Sequence, residues 1–115
     1  MDVLPLTDLR ENFGDDNETL IAILEMFQME VPNDVNALEV ALTQGDVRQV
    51  GEMAHKVKSS YRTLGIREMW DILQQVEDLA KERETLEGVP PLMKSFNEHY
   101  GPVNVQVQNT IDSLR

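Results

Sequence analysis

The residue type and setting most suggestive of covalent chemistry belong to His55. Its imidazole is a nucleophile, and it opens the run His55-Lys56-Val57-Lys58-Ser59-Ser60-Tyr61-Arg62-Thr63-Leu64-Gly65. Between Met53 and Arg67 there is no Asp or Glu, whereas Lys56, Lys58, Arg62 and Arg67 supply four of the ten basic residues. The whole 115-residue chain carries 21 acidic residues and a net charge of -11. A cationic island around a nucleophile in an acidic protein suits an anionic reactant of the phosphoryl type.

The elements that must position this run read as helices. Thr7 to Phe13 predicts a short first helix, ended by Gly14 and a polar turn. Leu20, Leu24, Phe27, Val31, Val35, Leu38 and Leu42 share one face of a long second helix from about Glu18 to Gln44. Pro32 lies inside that stripe and predicts a kink in preference to two abutting helices. Gly45-Asp46 stops this helix and caps a third, which runs to about Leu64 and ends at Gly65. A fourth helix is expected from Arg67 to about Thr85. A fifth begins at Val89-Pro90-Pro91, with a kink expected at Gly101-Pro102. Four long amphipathic helices with short turns close most simply as an antiparallel four-helix bundle carrying a short additional N-terminal helix, all α, in a single domain over residues 1–115.

Helix geometry puts His55 about 130 degrees from the centre of its helix's apolar stripe, so the ring is expected to face water. Arg62 returns to nearly the same direction two turns later. Lys58 and Ser59 flank the ring on one side, Gly51 and Glu52 on the other. Lys58 is accordingly expected to be exposed. Gly51 costs roughly 1 kcal/mol in mid-helix relative to Ala, so its missing side chain serves either access to the imidazole or close helix packing.

Composition removes several function classes. A net charge of -11 disfavours nucleic acid and anionic membranes. No apolar run approaches the roughly 18 residues of a membrane span, and Met1-Asp2-Val3-Leu4-Pro5 does not read as a signal sequence, so a cytoplasmic protein is expected. There is no Cys. His99 beside Glu98 lacks the ligand count for zinc, and no metal site is expected. The six Met residues are read as core filler. No Gly-rich phosphate loop or Asp and Asn constellation for nucleotide and Mg2+ is present, so an ATP-using kinase is not expected.

The segment from Ala54 through Ser60 to Leu64-Gly65 resembles the phosphorylation motif of histidine-containing phosphotransfer (HPt) domains, His-x-x-Lys-Gly followed by a Gly after a short spacer. Gly14-Asp15-Asp16 with Ile23, Leu24 and Phe27 resembles that family's entry into its second helix, and Gly45-Asp46 the turn before its histidine helix. The similarity covers roughly Leu6 to Ala80. It implies that His55 is the phosphoacceptor, that Lys58 lies beside the phosphoryl group and that Gly65 closes the helix. Glu77, or equally Gln74, falls where members place a polar residue near the histidine. Two departures stand out. Ser59 replaces the usual Gly, and Tyr61 stands where Ser or Ala is more common, facing the core by periodicity.

The resemblance further implies a relay of phosphoryl groups between receiver-domain aspartates in a multistep two-component system. The partners would be response-regulator receivers and a hybrid histidine kinase. Mg2+ would be supplied by the receiver, and this chain, expected to be a monomer, would need no cofactor. Gly51, Lys56, Ser59, Arg62, Gln74 and Glu77 are the expected partner-binding residues, the basic ones steering docking onto an acidic receiver site. The initial Met and full helix set favour a free-standing module. The alternative is a four-helix adaptor that binds a receiver or kinase without carrying phosphate.

Overall fold

The computed structural model describes residues 2–115. Its five helices are α1 Thr7–Phe13, α2 Asn17–Gln44, α3 Val47–Thr63, α4 Arg67–Lys81 and α5 Val89–Leu114, and no strand occurs among the described residues. Consecutive long helices pack side by side and α5 closes the ring against α2, giving the expected bundle, with α1 resting on α2. The stripe residues of all four long helices meet in one core, among them Leu24, Phe27, Val31, Val57, Tyr61, Met69, Leu73, Val76, Phe96, Val103 and Val107.

Two glycine stops set the position of α3. Gly45 has φ 68°, and the backbone amides of Gly45 and Asp46 donate to the carbonyls of Leu42 and Ala41. Gly65 has φ 74°, and the amides of Gly65 and Ile66 donate to Arg62 and Tyr61 in the same way. This double bond pattern satisfies the orphan carbonyls of a helix end and requires a left-handed residue. At the other end of α3 the Asp46 carboxylate accepts from the Gln49 amide at 3.1 Å.

Two expectations about elements change. The fourth helix ends at Lys81, not near Thr85. Beyond Ala80 no apolar side chain faces the core until Leu86, so no burial supports another turn, and Glu84 adopts φ 51° in the connection. At the prolines the preference for one continuous helix holds: α5 runs unbroken through Pro102, and α2 through Pro32. The buried residues on either side of each proline, Phe27 and Val35, Phe96 and Val107, anchor both halves in the same core. The methionines also divide. Met69 and Met93 are buried, but Met26 and Met29 are exposed on α2, so core filling does not account for them. Met1 lies outside the described residues.

Tyr61 sits at the centre of the core. Its ring meets Phe27 at 5.1 Å and Phe96 at 5.8 Å, edge to face in both cases. Its hydroxyl is buried with no hydrogen-bond partner among the described residues. Burial, then the charge of Tyr100, raises its pKa. An unpaired buried hydroxyl costs about 1–3 kcal/mol, part of which its removal recovers. Tyr61→Phe is therefore expected to stabilise the fold by about 1 kcal/mol, roughly 4 °C in Tm. A thermal melt showing a loss instead would mean that the hydroxyl is satisfied in solution.

Candidate functional site

The site lies on the seam of α3 and α4, the most extensive helix pair of the bundle. Gly51 makes this closeness possible. A Cβ at that position would lie 2.9 Å from Lys81 Cγ and 3.4 Å from Ala80 Cβ. Gly51 is thus buried under α4, which decides between its two readings in favour of packing and removes it from the open surface expected for a partner contact.

One turn further along α3, the His55 side chain is 55% exposed, as helix geometry requires. Its Nδ1 lies 2.9 Å from Glu77 Oε2 on α4. A carboxylate can only accept, so Nδ1 carries the proton. The outer nitrogen, Nε2, is then left with its lone pair, and the neighbouring carboxylate selects the tautomer.

Glu77 is the centre of the cluster. Its Oε1 accepts from Lys58 Nζ at 2.6 Å, and its Oε2 accepts from Lys81 Nζ at 2.9 Å as well as from His55. Lys58 also donates to Gln74 Oε1 at 2.9 Å, and Gln74 Nε2 in turn donates to Asp78 at 2.7 Å. Burial alone would raise the pKa of Glu77. The hydrogen bonds from Lys58 and Lys81, and then their charges, outweigh burial and hold the carboxyl below its ordinary value. It is therefore ionised at neutral pH.

Two expectations are corrected by burial. Lys58 is not a solvated surface lysine. Its side chain is only 8% exposed and its ammonium points at Glu77 and Gln74. Glu77, 7% exposed, is likewise an internal ligand of three cationic or proton-bearing groups and offers a partner almost no surface. Periodicity missed this because α3 and α4 converge so closely over Gly51 that a position flanking the solvent side of α3 is covered by α4.

The other expected residues do not join the cluster. Lys56 turns towards α2 and pairs with Asp34 at 3.0 Å. Arg62 leans over Trp70, 6.0 Å from the ring centroid, with Arg67 at 5.5 Å from the same ring. Ser59 is exposed, and its hydroxyl donates back to the His55 carbonyl at 3.0 Å, so the added group lies along its own helix. Lys81 and Asp34 were not foreseen. The i,i+4 spacing of Glu77 and Lys81 was the available signal for the first; nothing in the pattern marked Asp34.

An apolar groove of about 310 Å³ runs between α2 and α3, lined by Phe13, Ile23, Met26, Phe27, Ser60 and Leu64 among others. It starts at Ser60, about 7 Å along the axis of α3 from His55, and Met26 and Phe13 are 55% and 45% exposed. No helix among the described residues is long and apolar enough to cross a membrane.

Fold and site together define a class: a helical bundle that presents one imidazole on its flank, oriented by an ionised carboxylate backed by two lysines. A family model described as the Hpt domain matches residues 22–115, and the chain belongs to that family, the histidine phosphotransfer domains of phosphorelay signalling, which interact with receiver domains and histidine kinases. The match takes in α5, whose sequence alone was not diagnostic, and leaves out α1 and the first residues of α2. Searches of curated proteins and of solved structures found no match.

Proposed function

We propose that His55 is the phosphoacceptor of this domain and that the chain passes phosphoryl groups between receiver-domain aspartates. The observation that carries this reading is the exposed imidazole whose inner nitrogen is bonded to Glu77, leaving Nε2 free. In the forward step the Nε2 lone pair forms a bond to phosphorus as the bond to the receiver's aspartyl oxygen breaks, and the aspartate leaves as a carboxylate. The ring then bears phosphorus on Nε2 and a proton on Nδ1, and so a formal positive charge. Glu77 lies against that charge and stabilises it. By keeping the proton on Nδ1 it also keeps the imidazole a good leaving group, which favours reversal onto a second aspartate.

Lys58 would hold Glu77 from beneath and supply positive charge to the phosphoryl group from within the protein. The receiver would bring Mg2+ and dock over His55 and onto the groove that begins at Ser60, where exposed Met26 and Phe13 offer apolar contact. Lys56 and Arg62, both exposed, border this surface and would steer an acidic partner.

The test is label transfer from a phosphorylated receiver domain to wild type and to His55→Gln. Acid-labile, base-stable label on the wild type and none on the variant is expected. A wild type that takes up no label from any of several receivers would leave only the adaptor role.

A further inference from the structure

We propose that Lys81, at the C-terminal end of α4, is the residue that binds the phosphoryl oxygens on His55, and that Gly51 exists to let its side chain reach them. This rests on His55 being the phosphoacceptor. The two lysines of the cluster differ in the one property that decides which can meet an incoming group. Lys58 is 8% exposed and its ammonium is committed to Glu77 and Gln74. Lys81 is 44% exposed, and Glu77 is its one hydrogen-bond partner among the described residues.

The stem of Lys81 crosses α3 directly above Gly51. A Cβ there would lie 2.9 Å from its Cγ and 3.4 Å from its Cε. Gly51 is one turn before His55, so crossing at that point delivers the ammonium to the imidazole. Nζ and His55 Nδ1 each lie 2.9 Å from the same oxygen, Glu77 Oε2. They are therefore within about 6 Å of each other, two hydrogen-bond lengths through a shared acceptor, and Nε2 is on the same ring.

The charges support the assignment. Lys58 and Lys81 against Glu77 leave one net positive charge in direct contact around the imidazole, with the Asp78 carboxylate one step further off behind Gln74, in a chain whose total is -11. On the far side of Lys81 a groove of about 420 Å³ is edged by Glu52 and Glu84 as well as Arg48, with Arg48 paired to Glu52 at 3.3 Å. Carboxylates there disfavour a phosphoryl group straying from the ring. When His55 is modified, Lys81 can turn from Glu77 to the phosphoryl oxygens while Lys58 continues to hold the carboxylate.

The experiment phosphorylates the protein chemically with phosphoramidate and follows the phosphohistidine by 31P NMR across pH, with transfer from a phosphorylated receiver measured in parallel. A cation in contact with the group lowers its second pKa, so Lys81→Gln is expected to raise that pKa by about half a unit or more. Transfer is expected to slow about tenfold, less than the loss of an enclosed donor costs because the site is half open. Lys81→Arg should restore both. If wild type is phosphorylated but Lys81→Gln changes neither quantity, the proposal is overturned. It is also overturned if transfer slows while the phosphoryl pKa stays put, since Lys81 would then act only through Glu77. A wild type labelled by neither donor would overturn the phosphoacceptor reading itself.

Discussion

Glu77→Ala is expected to destabilise the domain by about 3–4 kcal/mol, a fall of roughly 12–15 °C in Tm. The cause is what remains. Lys58, 8% exposed, would keep only the Gln74 amide oxygen as a partner, and an ammonium left without a counter-charge in the interior costs far more than the ion pair contributes. Glu77→Gln should lose less, because an amide oxygen can still accept from Lys58. In both variants His55 loses the acceptor that holds the proton on Nδ1, so 15N shifts of the ring should show mixed tautomers and transfer should slow. A melt within about 1 kcal/mol of wild type would mean that Lys58 reaches water.

Acid should reveal the same group. The folded-state pKa of Glu77 lies below its ordinary value of 4.5. Its contribution to stability is therefore complete at neutral pH and is lost as pH falls from about 4.5 through the folded value. That component should be missing from the acid unfolding profile of Glu77→Gln.

Lys58→Ala is expected to cost about 2–3 kcal/mol, roughly 8–12 °C, where a solvated helix lysine would cost almost nothing. Removing it strips Glu77 of its 2.6 Å hydrogen bond and leaves a cavity where the buried stem lay. Lys81 and His55 still hold the carboxylate, which is why the loss is smaller than for Glu77→Ala. The two changes should be strongly non-additive, since each already breaks the shared pair. Thermal melts of both single variants and the double variant measure the coupling. Additive losses would mean that the pair contributes nothing as a unit.

The helices were legible because each is written in a local signal. Leu20 to Leu38 repeats at the helical period, Gly45 and Gly65 are stops that need a left-handed backbone, and Asp46 is a cap; all act within a few residues of themselves. Where local signals were silent or misleading, burial decided. Pro32 and Pro102 lie inside unbroken helices because buried neighbours on both sides hold the chain to one core. Lys81 ends α4 because the apolar positions run out.

For the site, sequence alone determined that His55 faces water in a cationic surround, since the direction of a side chain around its own helix follows from 100 degrees per residue. Which neighbours share that surround was decided only when α4 packed against α3. Two positions on one helix that point the same way, Lys58 and Arg62, separate in the fold, one buried on Glu77 and the other laid over Trp70. Lys81, 26 residues from His55 in sequence, comes to share its carboxylate. The physical reason is the distance between helix axes. A missing side chain at Gly51 draws α4 inward, and that approach, which no periodicity records, turns a surface lysine into a buried one and a polar residue of the next helix into the group that orients the imidazole.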